Sequence, residues 1–195
     1  MKLYHGTSER NLDSILKNGL TPATLNSNHH WESCCPQITD EGSVYLTPGF
    51  PIHHAVGSCY DGSKGIVLEI DSEHLDESSI YPDENFMLSR ELIDLKWDKK
   101  KIRDKIINKK DMWKKSLQEF ESISYDKPID KKAIKRYCII DWEKRRNMID
   151  LVLNEFNFRK VKYPFARWLF NEDNCCETLS YLCLSREGIL IKEVE

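Results

Sequence analysis

His5, Gly6, Thr7 and Ser8 stand in a row near the start of the chain, and Tyr45 follows the aliphatic Val44 further on. Residues of these types can hold a ligand as well as do chemistry on it. An imidazole exchanges hydrogen bonds with hydroxyls, and a glycine lets a ligand come close to the backbone. A tyrosine offers a flat, low-entropy wall to a planar ring. Taken singly, His5 could equally be a hydrogen-bonded structural histidine and Tyr45 a core residue. Ser8, Ser33 and Cys34 have no partner spacing that would make one of them the nucleophile of a triad or dyad. His29-His30, Cys34-Cys35, His53-His54 and Cys59 invite a zinc reading, with His30 and Cys34 or Cys35 forming one half of a site. No matching second half follows unless Cys175-Cys176 comes near in space, so no metal is assigned.

Short elements must hold these residues. Lys2–His5 reads as a strand leading into a tight turn, and Ser8 is a good N-cap for a helix carrying Leu12, Ile15 and Leu16 and ending at Gly19. Residues 21–41 lack periodicity and read as a long loop, the kind that often serves as a lid. Gly42–Thr47 and Gly65–Asp71 read as strands, with Ile52, Ala55, Val56 and Cys59 on one face of a short helix between them. Tyr81–Phe86 (YPDENF) looks like a helix start, with Asp83 and Glu84 in the first turn where the helix dipole favours negative charge. From 98 to 120 one helix is expected, because Ile102, Ile106, Trp113, Leu117 and Phe120 fall within roughly 60° of one another at helical spacing. Ser122–Tyr125 and Ala133–Ile140 read as strands, Arg145–Phe158 as a helix, and Leu179–Leu184 with Ile189–Val194 as a closing hairpin. The pattern is α+β.

The chain has 195 residues, 40% hydrophobic and 31% charged, which suits one domain with a sizeable core. No apolar run reaches the roughly 20 residues of a membrane span, and the polar start MKLYHGTSERN does not read as a signal peptide. Its 7 cysteines leave one over under any full pairing, and two adjacent pairs suit no ordinary disulfide framework, so they read as reduced thiols. A soluble, cytoplasmic protein is the expectation. The formal net charge of −3 is unevenly spread: −10 over 1–95, +11 over 96–168 and −4 over 169–195. A basic face over 98–146 suggests an anionic partner, nucleic acid above all, although lysines on amphipathic helices are usually a solvated surface.

The opening LYHGTSERNLDSILKNGL, the VYLT beginning at Val44 and the later GIVLEID resemble the ADP-ribosyltransferase superfamily of the His-Tyr-Glu, poly(ADP-ribose) polymerase-like type, and its small bacterial and phage mono-ADP-ribosyltransferases. The stretch WKKSLQEFESISYDKPIDKKAIKRYCII resembles the closing strands of small members, and together these matches cover about half the chain. The resemblance implies a split antiparallel β-sheet core with short helices and a helical, basic insert at 98–120. The domain would span 1–140, with 141–195 as a C-terminal extension packed on it.

The resemblance also implies NAD as substrate. His5 would hold a ribose hydroxyl, Gly6 the nicotinamide carboxamide, and Tyr45 the nicotinamide ring. Tyr4, Thr7 and Ser8 would border the same ligand. Tyr60 would stand in for a second stacking tyrosine, which is not otherwise evident. A carboxylate would steady the positive charge that develops on the ribose. Glu121 fits that layout best, with Glu119 near it; Glu177 fits the same order of acid, apolar strand, turn and aliphatic strand. Glu121 is favoured because the domain would otherwise hold too many strands. The implied activity is transfer of ADP-ribose to a nucleic acid or protein by a toxin, defence or phage effector, with a cognate antitoxin or inhibitor as a further partner. The alternatives are a non-catalytic binding module of the same fold, a zinc-stabilised interaction protein, and RNA 2′-phosphotransfer. The last normally needs more basic residues than the Lys2, Arg10, Lys17 and Lys64 found in residues 1–70.

Overall fold

The computed structural model describes residues 1–22, 43–49, 51, 54–55, 58–59, 62–141, 169–170 and 189–194. They form an α+β fold with two antiparallel sheets and a few short helices. Strands β1 (Lys2–Ser8), β3 (Gly65–Asp71), β6 (Ile134–Ile140) and β7 (Ile189–Glu193) make the first sheet, in the order β1-β3-β6-β7. Strands β2 (Val44–Leu46), β4 (Ile80–Pro82) and β5 (Ile123–Tyr125) make the second, in the order β2-β5-β4. The two sheets face each other across Leu3, Ile66, Leu68 and Ile70 on one side and Val44, Leu46, Ile80 and Ile123 on the other, all buried. The continuous apolar run of β3 follows from its place between β1 and β6, covered on both faces. Its buried acid, Glu69, is paired with Arg136 on β6, with Lys2 at 3.5 Å.

Helix α1 (Leu12–Asn18) follows a single 3-10 turn over Glu9–Asn11, whose N-cap is Ser8 as expected. Gly19 ends it with φ 79°, and a side chain there would meet the Ile129 carbonyl at 2.2 Å. Helix α2 (Glu84–Ser89) starts where YPDENF places it, with Asp83 accepting from the Asn85 N–H as its N-cap.

Two readings are corrected. The row His5–Ser8 is not a turn: β1 runs on through it, because Thr7 and Ser8 still pair with Ile66 and Gly65. The helix expected over 98–120 is two helices, α3 (Lys99–Asn108) and α4 (Trp113–Phe120), joined at Lys109 and a 3-10 turn. Ile102 and Ile106 belong to a second core with Phe86, Met87 and Ile93, against which Phe120 also packs, whereas Trp113 and Leu117 pack on the main one. One straight stripe cannot serve two cores. Strand β4 is an addition to the elements expected from sequence. The helix at 145–158 and the strand at 179–184 lie outside the described residues; β7 pairs with β6. Among the described residues no helix is long and apolar enough to cross a membrane.

Candidate active site at the parting of two strands

The site lies where β1 and β2 begin to pair and then separate. Tyr4 and Thr47 exchange two backbone hydrogen bonds, at 2.8 and 3.0 Å. Continued in antiparallel register, that bridge would bring Gly6 opposite Tyr45. The strands part instead, and the His5 side chain takes the Tyr45 carbonyl, with Nδ1 at 2.9 Å. A carbonyl only accepts, so Nδ1 carries the proton, and in the neutral ring Nε2 is left as an acceptor. Burial lowers the His5 pKa below 6.5, against the raising effect of the Tyr45 bond, and so favours that neutral ring. The alternation of an antiparallel ladder directs the Gly6 N–H and C=O away from β3, toward the opened edge.

Alternation also sorts the expected ligand-bordering residues. His5 and Thr7 point toward the sheet–sheet core, and Tyr4, Gly6 and Ser8 toward the other face. Tyr4 is 1% exposed and stacked on Phe170, with ring centroids 5.6 Å apart. Its ring is thus packed on the face away from His5. Ser8 shares a hydrogen bond with Ser63 at 2.7 Å, and Thr7 Oγ1 accepts from Asn11 Nδ2 at 2.9 Å. Both hydroxyls therefore have local structural duties. A side chain at Gly6 would lie 2.0 Å from the Pro51 carbonyl and 2.6 Å from the Ala55 nitrogen. The close approach of Pro51 and Ala55 requires this glycine whatever its main chain binds.

Tyr45 is half-buried, and its hydroxyl donates to Glu84 Oε1 at 2.9 Å. Glu84 opens α2 and is buried. In the sequence it is marked only as a first-turn acid; its approach to Tyr45 is a long-range contact that local pattern does not encode.

Glu121 immediately follows α4 and precedes β5, which pairs with β2 so that Tyr45 faces Ser124 and Leu46 faces Ile123. It adopts a left-handed conformation, φ 55° and ψ 30°, and its carboxylate reaches over Gly49. An L-residue avoids that region at a cost of about 1 kcal/mol or more, and such outliers gather at functional sites. Its neighbours are tightly held. Ser116 Oγ donates to the Ser122 carbonyl at 2.7 Å and accepts from the Asp83 N–H at 2.9 Å. Ser122 Oγ donates to Asp83 Oδ2 at 2.6 Å. Burial pushes the Asp83 carboxyl above its usual range, against those bonds. The structure thus joins His5 to Tyr45 and Tyr45 to Glu84, and sets Glu121 two strand positions beyond the paired part of β5. Glu119 is bound to Arg90 on the surface. Glu177 and Tyr60 lie outside the described residues.

Among the described residues no group of three or more His, Cys, Asp or Glu side chains is gathered as a metal site. His29, His30, Cys34, Cys35, His53, Cys175 and Cys176 lie outside those residues. Cys138 is buried, and the Cys59 Sγ donates to the Ala55 carbonyl at 3.0 Å.

No family model and no curated protein matches the sequence. Among solved structures, one named EcPltA aligns at 13% identity and TM-score 0.39, covering 71% of this chain and 75% of its own. A likeness so distant assigns no family.

Proposed function

We propose that the chain is a mono-ADP-ribosyltransferase that takes NAD as substrate and passes its ADP-ribose to a macromolecule, as a toxin, defence or phage effector. The observation that carries this reading is the His5–Tyr45 bond at the parting of β1 and β2. It leaves Nε2 of a neutral His5 to accept from a ribose hydroxyl. Beside it, the Gly6 edge offers one N–H and one C=O, the complement of a carboxamide. Tyr45 supplies an aromatic wall for the nicotinamide ring.

In the transfer, the bond between nicotinamide and the anomeric carbon of ribose breaks, and its electron pair leaves with nicotinamide. A lone pair of the acceptor forms the new bond to that carbon, and the acceptor's proton passes to a base. Glu121 is assigned to steady the oxocarbenium-like charge and to take that proton.

Helices α3 and α4 lead directly into Glu121 and carry exposed lysines, Lys100 and Lys115 among them. A nucleic acid is therefore the acceptor class we favour, with a protein as the second. The test is incubation of the purified chain with labelled NAD and a fractionated cell extract, read separately in protein, RNA and DNA. Label in one pool that disappears in a folded His5→Ala variant supports the transferase and names its target class. Full activity in that variant sinks the site. Neither label nor released nicotinamide favours a non-catalytic binding module.

A further inference from the structure

Glu84 has no role in the reaction as proposed, yet its carboxylate touches the tyrosine of the site. The Tyr45 hydroxyl donates to Glu84 Oε1 at 2.9 Å. The bond links residues from different elements: Tyr45 comes from β2, and Glu84 from the first turn of α2. Ordering a tyrosine ring costs side-chain torsional entropy when a ligand stacks on it. Holding the hydroxyl fixes the ring before a ligand arrives.

The anchor is itself immobilised. Asp83, next to Glu84, is 3% exposed, accepts from Ser122 Oγ at 2.6 Å and donates its N–H to Ser116 at 2.9 Å. Ser116 in turn donates to the Ser122 carbonyl, next to Glu121. Behind them Phe86 and Met87 fill the second core with Ile93, Ile102 and Ile106. One hydrogen-bonded corner therefore holds both the acid that grips Tyr45 and the backbone that presents Glu121.

We infer that Glu84 is a positioning residue, setting the Tyr45 ring as a preformed wall for the planar ring of the substrate. This rests on the transferase reading above. Glu84 acts on substrate binding through Tyr45, so its removal acts on KM for NAD rather than on kcat.

The test measures nicotinamide release by the full chain carrying Glu84→Leu, Glu84→Gln, Tyr45→Phe, or Glu84→Leu with Tyr45→Phe. Thermal melts establish that each is folded. Glu84→Leu should raise KM for NAD about five- to tenfold, as expected when one ordinary hydrogen bond is removed, with kcat nearly unchanged. Glu84→Gln keeps an acceptor at the same place and should restore most of the affinity. Tyr45→Phe breaks the same bond from the other side and decides the matter if the leucine variant does not fold: it too should raise KM. In the Tyr45→Phe background, Glu84→Leu should cost nothing more, because the bond is already gone. An equal rise in KM in both backgrounds would reveal a merely structural residue and overturn the inference. So would an unchanged KM in folded Glu84→Leu and Tyr45→Phe. Wild-type turnover tests the transferase reading separately: without it that reading falls and this role with it, and with it the variants alone decide.

Discussion

The carboxylate of Glu121 lies over Gly49, so close that a methyl group on that glycine would sit 2.9 Å from Oε2. Gly49 is itself fixed, its N–H donating to Thr47 Oγ1 at 3.1 Å just beyond β2. The pair joins the two edges of the second sheet's β2–β5 ladder at the point where the proposed acid emerges. Gly49→Ala should therefore displace the acid more than it disturbs the fold, since the far end of a flexible side chain can move. The expected result is a clear drop in the rate of nicotinamide release with a melting temperature within a few degrees of wild type. An unchanged rate would show that the carboxylate's position over Gly49 is immaterial.

The left-handed conformation of Glu121 yields a second prediction. Glycine occupies that region freely, so Glu121→Gly should leave stability unchanged or raise it by up to about 1 kcal/mol. The same change should lower transfer by about a hundredfold or more, the scale of losing a charge-stabilising group. Denaturant melts and nicotinamide release, measured on one preparation, check both halves. Destabilisation together with full activity would mean that the carboxylate serves the fold.

The pH dependence follows from His5. Its pKa in the folded protein lies below the ordinary 6.5, chiefly through burial. As pH falls through about 6.5 the unfolded chain takes up a proton that the folded chain still refuses, so stability declines. His5 then contributes its full share above pH 6.5 and loses it toward the lower folded value. Relative to His5→Gln, wild type should lose stability as pH drops below about 6.5, and the difference should be flat above neutrality. Denaturant melts from pH 8 to pH 5 test this. A difference that grows in favour of wild type on acidification would mean that the folded state prefers the charged ring.

Asp83 provides a stability test away from the ligand. It caps α2 and accepts from the buried Ser122, so Asp83→Ala removes a cap and orphans a hydroxyl. The expected loss is about 2 kcal/mol, measured by urea or guanidinium melts. A loss of a few tenths would show that solvent readily replaces these bonds.

Salt separates the acceptor classes. If the lysines of α3 and α4 meet phosphates, affinity for a nucleic acid should fall steeply with salt concentration. Replacing Lys100 and Lys115 by alanine should then lower the log–log slope by about 0.7–0.9 for each phosphate no longer neutralised. A flat response would point to a protein acceptor. Not all of the basic stretch is available for this: over 131–140 it forms a 3-10 turn and β6 rather than helix, and Arg136 is engaged with Glu69.

Local signals alone determined much of this protein. The run GIVLEID required a buried strand and occupies Gly65–Asp71; Ser8 and Gly19 mark the bounds of the first helical segment; Asp83 caps the helix that YPDENF announced. Each is governed by neighbours in the chain, through periodicity, capping or backbone freedom. The adjacency of His5 and Tyr45 was only an expectation from resemblance, and tertiary structure gave it a form that sequence does not contain: an imidazole bonded to a carbonyl where two strands part. The opposite orientation of Tyr4 was hidden while the row His5–Ser8 read as a turn, because side-chain alternation applies only once the strand is known to continue. The single stripe from Ile102 to Phe120 is interrupted at Lys109, and its residues divide between two cores assembled from distant segments, Ile102, Ile106 and Phe120 on one and Trp113 and Leu117 on the other. The grip of Glu84 on Tyr45 likewise depends on how β2 and α2 are packed. Periodicity is a property of one segment, whereas a site is made where segments meet, and only their packing fixes that.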